Sequence, residues 1–194
     1  MSGEYLRQTA FLGAINCTHA SPFYLPPPSI LLALSLFEEV TLKSLELKIP
    51  PAAVFGAFGL IMWSISSLPP QFSMLEGNRF IVILTLLLGA AYFGLSGVIS
   101  FKKVGTTVHP MQPEKASALV TSGVYQVSRN PMYLGLLLGL ISWGLYLSSL
   151  WAVACCVLFV TYMNRFQIAP EERAMEKRFG EDFNMYRQRT RRWL

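Results

Sequence analysis

Between Arg129 and Arg165 the chain carries no charged side chain. A single helix of that length would run to about 50 Å, at 1.5 Å per residue. The hydrocarbon core of a bilayer is only about 30 Å thick. The run must therefore fold back on itself, giving two short spans over roughly 131–147 and 150–166, with the turn at Ser148-Ser149. Such a hairpin starts and ends on one side. It returns Arg165 to Glu172 beside Arg129 to Tyr133, so polar residues bracket a segment suited only to a membrane. That arrangement suggests a polar ligand held at a membrane surface, with apolar chemistry inside.

Composition agrees. The chain is 53% hydrophobic and only 14% charged, against about 25% charged residues in ordinary soluble domains. Two more uncharged stretches, Pro50 to Leu68 and Phe80 to Phe101, are long enough to span, over 50–68 and 80–101. Pro22 to Phe37 is also uncharged but is broken by Pro26-Pro27-Pro28. It could span or lie in the interface, and we read it as a span over about 27–43. The expectation is an all-α integral membrane helical bundle. About five transmembrane helices and a C-terminal amphipathic helical tail form a single membrane domain over 1–194. Gly135 and Gly139 form a G-x-x-x-G, with Gly144 following, which lets helix backbones approach closely in lipid.

Charge sets the direction. With five spans and a cytosolic C-terminus, 14 of the 16 Lys and Arg residues fall on the cytosolic side, leaving Arg7 and Arg79 outside. This places a cytoplasmic-facing site in the plasma membrane of a prokaryote or the endoplasmic reticulum of a eukaryote. The net charge of +5 gathers in loops and tail, which fits a membrane surface better than nucleic acid. Cys17, Cys155 and Cys156 form no C-x-x-C, and neither a disulfide framework nor a metal site is expected. No cleavable signal peptide is evident either.

The polar segments are three. The loop over 102–130 is longer than a plain connector and holds His109, Pro110, Gln112 and Pro113. Asn130-Pro131 has the form of a helix cap and first turn, and Pro170-Glu171-Glu172 that of another helix start. In the tail over 167–194, Met175, Phe179, Phe183 and Tyr186 share one helical face, which either lies on the membrane or caps the site, and Gly180 interrupts it. Arg187, Arg189, Arg191 and Arg192 suit anionic headgroups. No Walker loop, H-E-x-x-H, Ser-His-Asp pattern or G-x-G-x-x-G is present, which disfavours a soluble Rossmann-type enzyme.

Over roughly 102–186 the chain resembles the isoprenylcysteine carboxyl methyltransferase family. The likeness rests on Leu119-Val120-Thr121-Ser122-Gly123-Val124-Tyr125, on Arg129-Asn130-Pro131-Met132-Tyr133-Leu134-Gly135, on Glu171-Glu172, and on Phe179-Gly180 with Phe183 and Tyr186. The wider superfamily includes phospholipid N-methyltransferases, which share the Arg-(His/Asn)-Pro-x-Tyr-x-Gly and Glu-Glu elements. The resemblance implies an integral membrane enzyme that uses S-adenosyl-L-methionine and releases S-adenosyl-L-homocysteine. It implies cofactor contacts at Gln112, Ser117, Ala118, Leu119, Val120, Tyr125, Asn130, Pro131, Met132, Tyr133 and Glu171. Gln167 and Glu172 would meet the substrate, and Arg129 or Arg173 would orient a substrate carboxylate as catalytic residues.

Two positions depart from the family pattern. Asn130 stands where histidine is usual, which excludes a proton shuttle there. Gln167 stands where an arginine usually meets substrate. The acceptor expected first is the carboxylate of a lipid-attached isoprenylcysteine entering from the bilayer, for which positioning rather than a general base is the enzyme's task. A phospholipid or other lipid amine is the alternative and would want a base such as Glu172 or His109. A non-enzymatic membrane scaffold is the third reading. Membrane lipids are expected partners and nucleic acid is not; the oligomeric state stays open.

Overall fold

The computed structural model describes residues 46–73, 76–105 and 117–194. The expected span over 27–43 and the residues His109 and Gln112 lie outside them. Helix α1 is Pro51–Ile65 and α2 is Glu76–Val104. A 3-10 turn, Gly123–Gln126, precedes α3, Pro131–Tyr146, and α4, Leu150–Tyr162. A π-helical segment, Met163–Ile168, carries α4 directly into α5, Ala169–Phe179, and α6, Glu181–Arg189, follows. Among the described residues the only β pairing is an isolated bridge between Gln71 and Ser149.

Prolines start two of the helices. Pro51 and Pro131 sit in first turns, where a missing N–H costs nothing and the fixed φ is already helical. The hairpin turns where expected: Ser148 takes φ 52°, and the Ser149 side chain caps α4 by accepting from the Ala152 N–H. Of the about five spans expected, the described residues hold two helical stretches of full spanning length and two shorter apolar helices. Two helical stretches, Asn78–Val104 and Leu150–Phe179, are long and apolar enough to cross a membrane. Helices α1 and α3, at 15 and 16 residues, are shorter apolar helices. At 1.5 Å per residue each reaches only about 22–24 Å.

Helix α3 is the central element. Along one side it lies against α2, and the contact is close because glycine permits it. A Cβ on Gly135 would stand 2.8 Å from the Ala90 carbonyl oxygen and 3.0 Å from the Gly94 nitrogen. Gly139, one turn on, faces the Phe55 ring of α1 instead, and Gly144 faces Val153 of α4. The small residues thus let α3 meet three neighbours. Met62, Leu140, Ala152, Phe159 and Met163 fill the space between α1, α3 and α4, with Phe58 set edge-on to Phe159 at 5.5 Å. Cys155 and Cys156 belong to the same core as free thiols. Large apolar side chains also cover the outer surface of the helices: Leu60, Trp63, Phe80, Leu88, Leu95, Val157 and Leu158 are all exposed. An apolar surface of that extent is stable only under hydrocarbon or another apolar covering.

The four helices run up and down between two ends. At one end the α1–α2 connection meets the hairpin turn: the Phe72 N–H donates to the Ser148 carbonyl at 3.1 Å, Arg79 donates to the Ser148 hydroxyl at 2.7 Å, and Trp151 donates to the Pro69 carbonyl at 2.8 Å. At the other end the chain before α1 meets the end of α4. Pro170 has no N–H to give to the carbonyl of Phe166, four residues back. The Leu47 N–H donates to that carbonyl at 3.1 Å. The π turn just before Pro170 is the local register change that carries α4 into α5 as a single helix, where a fresh helix start was expected.

Candidate active site

The hairpin brings its two polar ends together at the second of these faces. Tyr133, in the first turn of α3, meets Glu171, in the first turn of α5. The Tyr133 hydroxyl donates to Oε1 of Glu171, and Gln167 Nε2 donates to the same oxygen at 2.8 Å and to the Tyr133 hydroxyl at 3.4 Å. Both donors are neutral. Protein encloses the Glu171 carboxyl on most sides while part of the side chain faces an open pocket. Burial raises its pKa to about 7, the neighbouring Glu172 adds to the rise, and the two hydrogen bonds only partly offset it.

Glu172 has the opposite surroundings. Burial alone would raise its pKa, but hydrogen bonds and charge from Arg192 and Arg129 more than offset this and hold it below the usual range. Arg129 Nη2 lies 2.7 Å from its Oε1, and Arg192 donates to both of its oxygens. The same Arg129 donates through Nη1 to the carbonyls of Arg187, at 3.0 Å, and Thr190, at 2.8 Å. Its backbone N–H goes to the Arg191 carbonyl, and Asn130 Nδ2 donates to the Arg192 carbonyl at 3.0 Å. The tail is thereby strapped across the start of α3. Trp193 completes the strap by donating to Asn164 at 3.1 Å while its ring packs on the core.

Above Glu171 the pocket has aromatic and apolar walls. Ala118, Leu119 and Val120 form one side and Phe101, from the end of α2, another. Tyr125 stands edge-on to Phe101 at 5.4 Å and is held by its carbonyl, which accepts from Tyr186 at 2.7 Å. Met175, Phe183 and Tyr186 roof the space. The apolar face of the tail thus packs on Val120, Val124 and Tyr125 and caps the pocket. Burial pushes the Tyr125 and Tyr186 hydroxyls well above the ordinary tyrosine range, so both stay protonated at neutral pH.

Of the residues singled out by sequence, Ala118, Leu119, Val120, Tyr125, Arg129, Asn130, Met132, Tyr133, Glu171 and Glu172 line this one pocket. Ser117 is exposed beside it and Pro131 is buried behind it. Four of the expected site residues meet a different geometry. Arg129 is a strut for the tail, its guanidinium committed to Glu172 and two carbonyls. Arg173 does not reach the pocket and pairs with Glu46, as does Arg165 at 3.6 Å. Gln167 is 2% exposed and turned to Glu171, so it stands behind the pocket wall rather than in it. Glu172 is likewise ion-paired rather than open to a substrate. Phe101, Met175, Phe183 and Tyr186 were not named as site residues; the shared helical face of the last three was the signal for them. Among the described residues no group of His, Cys, Asp and Glu side chains could hold a metal ion.

This geometry sits inside a recognisable family segment. A family model described as phospholipid methyltransferase matches residues 78–182, from the start of α2 to α6. An uncharacterized protein of Haemophilus influenzae is 44% identical over 63 residues, which is 32% of this chain and all of that protein. No solved structure matches the chain. With its family model covering more than half of its length, the chain belongs to the phospholipid methyltransferase family.

Proposed function

We propose that the protein transfers the methyl group of S-adenosylmethionine to an amine carried on a membrane lipid. The observation that supports this best is Glu171: a carboxylate at the floor of an aromatic pocket, held by two neutral donors that both reach Oε1. Its Oε2 is left for a ligand, and an ammonium group is the natural donor to it. The cofactor fits these residues. Glu171 would take its ammonium group, the Ala118 to Val120 backbone its adenine edge, and Phe101, Tyr125 and Tyr133 its flat and cationic parts. When bound, it supplies an electrophilic methyl carbon on a positive sulfur. The pocket residues then hold that carbon and exclude water, which is catalysis by positioning.

Where the arginines of the described residues go favours an amine over a carboxylate as acceptor. An isoprenylcysteine carboxylate, implied first by the sequence resemblance, calls for a cation near the reacting carbon. Arg129 and Arg192 are engaged by Glu172, and Arg165 and Arg173 by Glu46. An amine needs no such partner. Once water has taken the proton of the lipid ammonium, the lone pair of the neutral amine forms the N–C bond while the C–S pair leaves with sulfur, and the product carries the positive charge as an N-methylammonium.

The test is methyl transfer from labelled S-adenosylmethionine by purified protein in detergent, offering phosphatidylethanolamine and N-acetyl-farnesylcysteine in parallel. Label in the phospholipid supports the proposal, and label in the farnesylcysteine ester moves the acceptor to the carboxylate. With neither labelled, calorimetry with S-adenosylhomocysteine decides whether the cofactor reading survives. Glu171→Ala should weaken that binding at least tenfold, by loss of a charge-assisted hydrogen bond; unchanged affinity would overturn the assignment of Glu171.

A further inference from the structure

Gln167 lies in the π segment, not in the pocket, and its amide is directed at Oε1 of Glu171 from 2.8 Å. Tyr133 donates to that same oxygen from α3. Two donors on one oxygen restrain the carboxylate, and the residue they restrain lines the pocket. Because both donors are uncharged, neither cancels the carboxylate's charge, whereas a lysine or arginine in place of Gln167 would.

We infer that Gln167 is a positioning residue: from behind the pocket wall it locks Oε1 of Glu171 with a neutral donor, presents Oε2 to a cationic ligand, and keeps the charge of the carboxylate available to it. The inference deepens the proposed function and rests on it only for the identity of the ligand. Among the described residues the groups that face Glu171 are Tyr133 from α3, Tyr125 from the 3-10 turn, and Glu172 on its own helix, the last held by Arg129 and Arg192. None of them supplies a cation to Glu171 itself.

The test reads the protonation of Glu171 without any ligand. The carboxyl infrared band of the purified protein is titrated with pH, with Glu171→Gln as the subtraction control. The free wild type should titrate near 7. Gln167→Met removes the donor at similar length, and the midpoint should move up by about one pH unit, as expected for a lost hydrogen bond to a charged group. Tyr133→Phe removes the other donor and should move it in the same direction, which keeps the test open if one variant fails to fold. S-adenosylhomocysteine affinity should fall with pH through each variant's own midpoint and recover for Gln167→Met at high pH. A residue with only a packing role would lower affinity equally at every pH. Superimposable titrations of wild type and Gln167→Met overturn the inference, whatever binds. A shifted midpoint with no S-adenosylhomocysteine binding sustains it and removes the proposed function instead.

Discussion

Glu171 and Glu172 are sequence neighbours with opposite electrostatic roles, and this yields a prediction of opposite sign. The pKa of Glu171 is raised on folding, so its ionised form is disfavoured in the native state. That penalty begins above the ordinary carboxylate value, near 4.5, and is complete above about 7. Glu171→Gln should therefore stabilise the ligand-free protein at pH 7.5, on the order of 2 kcal/mol, while losing ligand affinity. The pKa of Glu172 is lowered, so its contribution is fully present above the ordinary value and is lost as pH falls through the folded one. Glu172→Gln should destabilise by about 2–3 kcal/mol, less than a wholly buried pair because Arg192 is 35% exposed. Thermal unfolding in detergent measures both, and equal signs would refute the assignment of charges. Both acids were legible in the sequence as the Glu-Glu element that follows the hairpin. Which one is paired was not, because the partners Arg129 and Arg192 lie 43 and 20 residues away and only the strapped tail brings them together.

At the level of elements, the helices were legible because lipid imposes a strict rule: every backbone group must be satisfied within the segment, so apolar length translates directly into helix. The bounds 131–147 and 80–101 meet helices Pro131–Tyr146 and Glu76–Val104 within a few residues. The continuity of α4 into α5 was not legible. Pro170 reads as a helix start by local chemistry, and the Leu47 N–H that satisfies the Phe166 carbonyl comes from far away in the chain. Which neighbour each glycine would face was also hidden, since the G-x-x-x-G pattern gives spacing but not partners. The contact geometry now separates them. Gly135→Val would drive side-chain atoms into the Ala90 carbonyl and the α2 backbone, where nothing flexible can yield. A loss of about 1–3 kcal/mol is expected. Gly56→Ala, in open space on α1, should be tolerated and even gain slightly from helix propensity. Equal melting temperatures for the two variants would argue against the close α2–α3 approach.

For the whole molecule, the organising fact is an asymmetry between the two ends of the bundle. The pocket end carries Lys102, Lys103, Arg129, Arg165 and the tail arginines, while the described part of the opposite end holds Arg79, engaged with Ser148. By the positive-inside rule a basic excess of this kind is expected on the cytoplasmic side. The pocket, the strapped tail and the ends of α2 and α4 should then share that side, and Gln71 should lie across the membrane from them. The short helices α1 and α3 run between the same two ends, and a small mismatch of this kind is met by local bilayer thinning. The prediction is tested with single cysteines in a background lacking Cys17, Cys155 and Cys156. Arg189→Cys and Gln71→Cys both occupy exposed positions, one at each end. In oriented vesicles a membrane-impermeant maleimide should label Arg189→Cys only from the cytoplasmic side and Gln71→Cys only from the other. Labelling of both from one side would mean that the bundle lies in one leaflet, and a lipid headgroup would then have to approach Glu171 without the pocket facing the cytoplasm. Labelling from opposite sides fixes the pocket where a soluble cofactor and a membrane-held acceptor can meet.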